Sequence, residues 1–134
     1  MKGYILDTDT WIEFFHQRSG VGAHIRQMPK DEIFASEVSI TELTFGALHS
    51  QNIEKHMEEP KIIRANFRVL PLIDGWYDDY AEIRQSLVSR GLGAGDFDII
   101  ICATARRLGL TVVTHNIRHF GKMPGVRCVD WVEQ

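Results

Sequence analysis

Four carboxylates stand near the ends of predicted helices or strands. Asp7 follows the apolar run Tyr4–Leu6, which has the pattern of a short buried strand, and ligands of parallel sheets gather beyond the carboxyl ends of strands. Glu42 lies in a predicted helix, and Asp96 and Asp98 begin another. Carboxylates from separate elements favour a hard cation such as Mg²⁺ or Mn²⁺, because these ions prefer oxygen ligands. Such a site leaves open positions for a phosphate and an attacking water.

Each of these acids also has an ordinary structural interpretation. Asp7 could cap the helix that follows it, although Thr10, with Glu13 three residues later, forms a better capping box. Glu42 stands three residues after Ser39 and could complete a second capping box. On these residues alone, the structural and the chemical interpretations both stay open.

The charge distribution adds to the case for chemistry at the last two acids. Residues 84–127 carry seven basic residues against two acids, Asp96 and Asp98, a net +5, whereas the rest of the chain carries 8 basic and 16 acidic residues, a net −8. One of the two acids could be an N-cap and the other a first-turn residue favoured by the helix dipole. Two such acids so close together in a basic stretch need a further explanation.

Other chemistries find little support in the sequence. The pair His115 and His119 has zinc-ligand spacing but is predicted to line a loop. Neither a Gly-x-Ser-x-Gly nucleophile motif nor a P-loop lysine motif occurs, and the glycines at 91, 93 and 95 follow a helix, unlike a dinucleotide-binding loop. The two cysteines do not form a disulfide framework, which favours a reducing compartment.

The elements that must position the acids alternate between strand and helix. Strands are predicted at residues 3–7, 32–35, 68–72, 110–114 and 126–129, and helices at 11–16, 20–28, 39–50, within 51–67 (with Pro60 in a first turn), at 76–90 and at 96–108. This alternation predicts a single α/β domain over residues 1–134, a three-layer α/β/α sandwich around a mainly parallel sheet of four to five strands.

The composition bounds the classes of protein that remain. The chain has 134 residues, of which 44% are hydrophobic and 25% charged, which is typical of one globular domain. Because no apolar run reaches the length of a membrane span and no signal-peptide pattern opens the chain, a cytoplasmic protein without membrane association is expected. The net charge of −3 by itself argues against a general nucleic-acid binder.

Several segments together resemble one family, the PIN-domain ribonuclease toxins of bacterial type II toxin–antitoxin systems, known as the VapC type. The resemblance covers nearly the whole chain, and the order and spacing of the segments are more specific than any one of them. The segments are Tyr4–Thr10, Ser36–Ala47 with its glutamate ahead of a Gly-Ala pair, Gly95–Ala105, Gly109–Phe120, Pro124-Gly125 and Asp130-Trp131.

The resemblance implies a PIN-like fold and specific site residues. Asp7, Glu42 and Asp98 fall on the acidic positions of the family, with Asp7 and Asp98 as direct ligands of Mg²⁺, or of Mn²⁺ in its place. Glu42 would shape the site or bind the cation through water. Asn116 falls on the polar fourth position, where many PIN nucleases have an aspartate, so a second bound cation is in doubt.

The sequence departs from the usual pattern of the family at two acids. Asp9 stands where asparagine is common, and Asp96 stands where many relatives have no acid. Asp96 could compensate for the neutral fourth position or simply cap its helix. Thr114 could hydrogen-bond a phosphate or Asp7, or be purely structural.

The implied reaction is cation-assisted hydrolysis of RNA phosphodiester bonds, with the RNA target left open. The implied partners are a cognate VapB-like antitoxin, operator DNA reached only through that antitoxin, and a second copy of the chain in a homodimer. Candidate phosphate contacts are Arg84, Arg118, Lys122, His115 and His119. Candidate antitoxin-groove residues are Trp11, Phe14, Phe15 and Phe45.

Two other functions fit part of the sequence. Asp7-Thr8-Asp9-Thr10 after an apolar strand also satisfies the opening motif of haloacid-dehalogenase-like phosphatases, with Asp7 as nucleophile and Asp9 as acid/base. No suitably placed lysine and downstream acidic pair accompany it. A PIN-like scaffold that binds protein or RNA without catalysis is the other alternative, although all three acids of the family are present.

Overall fold

A single parallel sheet of five strands organises the structure, a computed structural model that describes residues 2–17 and 19–132. The strands are β1 (Tyr4–Leu6), β2 (Ile33–Ser36), β3 (Arg68–Leu70), β4 (Thr111–Val113) and β5 (Arg127–Val129). Their order across the sheet is β3-β2-β1-β4-β5, and every neighbouring pair is parallel. The first strand therefore lies at the centre, and the predicted parallel α/β architecture is confirmed.

Helices cover both faces of the sheet. They are α1 (Thr8–His16), α2 (Val21–Arg26), α3 (Glu37–Leu48), α4 (Ile53–Asn66), α5 (Trp76–Ser89), α6 (Asp96–Leu108) and α7 (Ile117–Phe120). A single 3₁₀ turn, Lys30–Glu32, precedes β2. The short α7 was not predicted from the sequence.

Two apolar cores lie on opposite faces of the sheet, because successive side chains of a strand point in opposite directions. Ile5 of β1 belongs to one core and Leu6 to the other. The first core adds Phe34, Val112, Ile83, Leu87, Ile99 and Cys102, which brings α5 and α6 onto that face. The second core adds Ile33, Ala35, Val113, Trp11, Ile25, Leu43 and Ile63, which brings α1 to α4 onto the other. The predicted three-layer α/β/α arrangement is therefore confirmed.

Glycines set the boundaries of α6 where the sequence predicted them. Gly95 is the N-cap of α6, and Gly109 ends the helix in the left-handed region with φ 72°. By contrast, α4 begins at Ile53, so Pro60 lies in the helix interior and not in a first turn. Within residues 2–17 and 19–132, no helix combines the length and apolar character needed to cross a membrane.

Candidate functional site

The loop after the central strand carries the most deeply buried acid of the site. Asp7 is 4% exposed, and its backbone N–H donates to the carbonyl of Val113 on the neighbouring strand at 3.1 Å. Its Oδ1 accepts the backbone N–H of Thr10 at 2.8 Å, and the buried Thr114 hydroxyl also hydrogen-bonds this carboxylate. Asp7 is therefore the N-cap of α1, and the capping role predicted for Thr10 is wrong, because the strand ends at Leu6 and the helix begins at once.

The pKa of Asp7 is raised. Burial is the main cause and outweighs the hydrogen bonds from Thr10 and Thr114, and the nearby charge of Asp9 raises the pKa further. An ionised carboxylate is thus costly here unless a positive charge accompanies it.

Glu42 contacts α1 and does not cap its own helix. Its Oε1 accepts a hydrogen bond from the Thr8 hydroxyl at 2.6 Å, and that hydroxyl lies 2.9 Å from the hydroxyl of Ser39. The predicted Ser39–Glu42 capping box is wrong, because α3 begins at Glu37 and Ser36 is its N-cap. Glu42 therefore sits in the second turn, from which it reaches across to α1.

Asp98 is the third residue of α6, and its side chain is 39% exposed. Nε2 of His119, on α7, lies 3.2 Å from Oδ2 of Asp98. Burial raises the pKa of Asp98, His119 opposes this effect, and the charge of Asp9 adds to it. Asp98 thus stands at the N-terminus of a helix, as predicted, and contacts a residue that the sequence placed in a loop.

Glu42 and Asp98 face a common space, and Asp9 links Asp7 to them electrostatically. Burial is the main cause that raises the pKa of Glu42, and the charges of Asp98 and Asp9 raise it further. An open pocket of about 310 Å³ is lined by Glu42, Gly95, Asp96, Phe97 and Asp98. Asp9, exposed in the first turn of α1, acts electrostatically on all three acids. Asp9 was not predicted to belong to a PIN-type site, although its spacing of two residues from Asp7 was a signal for it.

The donor set suits a hard cation, since the facing groups are carboxylate oxygens. In the part of the chain that the structure describes, no three side chains of His, Cys, Asp or Glu are close enough together to form a compact metal cage. A cation here would have only one or two carboxylates as direct ligands, with water completing its coordination, as is usual for Mg²⁺.

The structure shows the contacts of Asn116 and Asp96, whose roles the sequence left open. Asn116 is the N-cap residue of α7, and its backbone N–H donates to the Thr114 hydroxyl at 3.0 Å, while its side chain is exposed. Asp96 accepts a hydrogen bond from the Tyr80 hydroxyl at 2.5 Å, and Arg84 donates to the same hydroxyl. Asp96 thus connects α6 to α5 and is not the N-cap.

Much of the basic stretch is committed to internal contacts. Arg106 and Arg107 both pair with Asp79, Arg90 donates to the carbonyl of Lys122, and Arg127 donates to the carbonyl of Gly109. The net charge of +5 therefore overstates the basic surface available to a ligand. Within residues 2–17 and 19–132, the exposed cations near α7 whose side chains have no hydrogen-bond or ion-pair partner are Arg118 and Lys122.

An apolar groove lies on the face formed by α1, α2 and α4. Its volume is about 530 Å³, and Phe14 and Phe15 line it, as predicted. Trp11 does not line it, because this side chain is fully buried against Phe67, and the exposed Phe45 lies outside it. The groove lining is completed by Gln17, Ile25, Arg26, Met28, Lys30, Ile62, Asn66 and Phe67.

The family model of the PIN domain matches residues 4–126. The chain belongs to the PIN-domain family. It is 30% identical to the tRNA(fMet)-specific endonuclease VapC of Salmonella typhimurium, over 98% of this chain and 99% of the relative. It is 26% identical to Ribonuclease VapC1 of Haemophilus influenzae, over 97% and 98% of the two chains.

Solved structures agree with the sequence relatives. This PIN domain superimposes on DNA-bound VapBC from Salmonella typhimurium with a TM-score of 0.89 and 27% identity, over 98% of this chain and 99% of that chain. It superimposes on VapBC-1 from nontypeable Haemophilus influenzae with a TM-score of 0.85 and 26% identity, over 96% and 97%. The PIN domain is thus a member of the VapC-type endoribonuclease toxins, and the phosphatase interpretation of Asp7 and Asp9 is set aside.

Proposed function

We propose that this PIN domain, acting as one catalytic domain over residues 1–134, hydrolyses RNA phosphodiester bonds with Mg²⁺, or with Mn²⁺ in its place. The observation that carries the proposal is the convergence of Asp7, Glu42 and Asp98, from three different elements, on one end of the sheet. The pKa of each carboxyl is raised mainly by burial, so a cation would relieve an existing electrostatic cost.

Each site residue has a distinct role in the proposed reaction. Asp7 and Asp98 would hold Mg²⁺, which when bound polarises a phosphate oxygen and lowers the pKa of a water molecule. Glu42, fixed by the Thr8 hydroxyl, would orient that water or contact the cation through it. The exposed side chain of Asn116 would contribute a neutral polar group at the edge of the site.

The surroundings of the acids suit a nucleic acid. Phe97 is 40% exposed and belongs to neither apolar core, yet it lines the same pocket as Glu42 and Asp98. Exposed aromatic rings of this kind stack on the bases of single-stranded RNA. Arg118 and Lys122 are available for phosphate contacts. Since relatives from Salmonella typhimurium and Shigella flexneri are named tRNA(fMet)-specific endonucleases, tRNA is the substrate class to test first.

The direct test compares Asp7→Asn and Asp98→Asn with the unmodified chain in a tRNA-cleavage assay. We expect each substitution, and EDTA, to reduce cleavage by about 100-fold or more, because transition-state charge stabilisation is lost. Asp31→Asn is the matched control, since Asp31 precedes β2 and lies at the opposite end of the sheet. Cleavage by both site variants at the rate of the control would refute the catalytic site and favour a non-catalytic scaffold.

We further propose that a VapB-like antitoxin binds this PIN domain and links it to operator DNA. Structural neighbours include VapBC complexes, one of them bound to a promoter DNA fragment. The groove lined by Phe14 and Phe15 supports the proposal, because an apolar helix face or strand of a partner could fill it. Phe14→Glu should abolish co-purification with a co-expressed VapB-like antitoxin. Val88→Glu, exposed on the opposite face, should leave it intact.

A homodimer is part of the same proposal. Phe45 and Leu48 are exposed on α3, with 67% and 59% of their surface accessible, and a second copy would cover them. Sedimentation analysis of the free chain should give a dimer, and Phe45→Glu should shift it towards the monomer. A monomer at all concentrations tested would contradict the proposed dimer.

A further inference from the structure

We infer that His119 is a positioning residue that fixes the Asp98 carboxylate for cation binding, an inference that rests on the proposed function. The two side chains meet between α6 and α7, with His119 Nε2 3.2 Å from Asp98 Oδ2. An ionised carboxylate only accepts hydrogen bonds, so the His119 tautomer that carries its proton on Nε2 is the one that donates to it.

The backbone around His119 holds the imidazole in place. Helix α7 is a single turn, and its last residue, Phe120, is 2% exposed in the first apolar core. The His119 ring lies edge-on to the Phe120 ring, with centroids 5.3 Å apart. The backbone N–H of His119 donates to the Asn116 carbonyl at 3.1 Å. The His119 side chain is only 25% exposed. These contacts therefore hold the His119 side chain in the position from which it contacts Asp98.

His119 completes a pattern shared by the three carboxylates. Asp7 is oriented by Thr114, Glu42 by Thr8, and Asp98 by His119. Groups that hydrogen-bond the ligands of a metal orient those ligands, and their loss commonly costs 10- to 100-fold in metal affinity. In the described residues, His119 is the side chain that hydrogen-bonds Asp98, so no second partner would replace it.

A second histidine provides an internal control. His115 Nδ1 lies 2.9 Å from Asp130 Oδ2, and its side chain is 55% exposed. Both histidines pair with an aspartate across neighbouring elements, but Asp130 does not line the pocket of the acids. Substitution of His115 therefore removes a comparable contact without changing the orientation of Asp98.

The test measures Mn²⁺ binding to the full chain by calorimetry for His119→Leu, His119→Gln and His115→Leu. His119→Leu should bind Mn²⁺ about 10-fold more weakly than the unmodified chain. His119→Gln should restore most of the affinity, because its amide N–H reaches where Nε2 stood, and His115→Leu should bind normally. If His119→Leu fails to fold, His119→Asn, whose shorter amide does not reach Asp98, replaces it.

Each outcome bears on one claim. Equal Mn²⁺ affinity for His119→Leu and the unmodified chain would overturn the role of His119 alone, as would a glutamine variant as weak as the leucine variant. Electron spin echo signals from nitrogen bound directly to Mn²⁺, present in the unmodified chain and lost in His119→Leu, would also overturn it, because His119 would then be a ligand. No Mn²⁺ binding by the unmodified chain would instead refute the proposed cation dependence and, with it, this inference.

Discussion

Threonine hydroxyls orient two of the three acids of the site. Thr114 is fully buried, accepts the backbone N–H of Asn116 and donates to Asp7. Thr8 donates to Glu42. A hydroxyl both donates and accepts, so Thr114 satisfies a backbone group and a carboxylate at the same time. The positions of these two carboxylates thus depend on hydrogen bonds from neighbouring hydroxyls.

Thr114→Val tests this dependence at nearly constant volume. The change leaves the Asn116 N–H without its acceptor and removes one hydrogen bond from Asp7, so we expect a loss of about 1–2 kcal/mol in the free energy of unfolding. Cleavage of RNA should fall by roughly 10-fold, since Asp7 loses a fixed orientation. Urea unfolding and initial-rate assays would measure the two effects.

Thr104→Val is the control for that substitution. Thr104 is also buried, but its hydroxyl donates to the Ile100 carbonyl within its own helix. We expect Thr104→Val to cleave RNA at the rate of the unmodified chain. A comparable loss of activity in both variants would show that Thr114 acts only through general stability.

Helices α5 and α6 are joined by a cluster of ionic contacts away from the acids of the site. Asp79, which is 8% exposed, accepts hydrogen bonds from Arg106 at 2.7 Å and from Arg107 at 2.9 Å. Both arginines also pack over glycines with positive φ: a Cβ at Gly75 would overlap the Arg107 guanidinium, and one at Gly125 would meet the Arg106 side chain. This cluster fixes the C-terminal end of α6, the helix that carries Asp98 near its N-terminus.

Asp79→Asn should destabilise the fold by about 2 kcal/mol, because the buried Asp79 and the partly buried Arg106 lose their charge pairing. Glu82→Gln is the matched control: Glu82 also pairs with Arg106, but its side chain is 69% exposed, so its loss should cost less than about 0.5 kcal/mol. Chemical denaturation at neutral pH measures both. Equal effects from the two substitutions would contradict the importance of the buried contact.

The same cluster predicts how stability depends on pH. Burial alone would raise the pKa of Asp79, but the hydrogen bonds and charges of Arg106 and Arg107 outweigh it, and the pKa falls below its ordinary value of 3.8. The stabilisation is therefore fully present above pH 3.8 and is lost as the pH falls through the lower pKa of the folded state. Unfolding curves between neutral pH and pH 2 should converge for the unmodified chain and Asp79→Asn; a constant difference would contradict this assignment.

At the scale of the whole molecule, a bound cation should stabilise the fold, because a ligand that binds only the folded state shifts the unfolding equilibrium. At Mn²⁺ concentrations about 100-fold above the dissociation constant, the gain is about 2.7 kcal/mol, which corresponds to a rise in Tm on the order of 5–10 °C. Asp7→Asn should abolish the rise. Differential scanning calorimetry with Mn²⁺ and with EDTA measures it, and an equal rise in the variant would exclude Asp7 as a ligand.

The sequence predicted best where chemistry is local. The bounds of α6 follow from the glycines at 95 and 109, and the three acids could be placed near strand or helix ends without any coordinates. The errors concern contacts between distant residues. Thr8 and Glu42 are 34 residues apart, and His119 and Asp98 are 21 apart, so no spacing rule reveals that they touch.

The capping predictions failed for a related reason. Both Thr10 and Ser39 have suitable partners three residues later, yet the preceding strands end so close to the helices that Asp7 and Ser36 become the caps. Strand ends are set by pairing with β4 and β3, which lie far along the chain. The pairing of Arg106 and Arg107 with Asp79 could not be predicted from the sequence either. Because of this pairing, two residues of the basic stretch form structural contacts.

The central position of β1 determines when the site can form during synthesis. Strand β1 is synthesised first, and one of its edges pairs with β4. The backbone N–H of Asp7 and the hydroxyl of Thr10 both donate to the carbonyl of Val113, on β4. Chains emerge from the ribosome N-terminus first, so this edge of β1 stays open until residues 111–114 have been made. A nascent chain that still lacks β4 therefore carries Asp7 and Thr10 without the Val113 carbonyl that both residues contact in the folded domain.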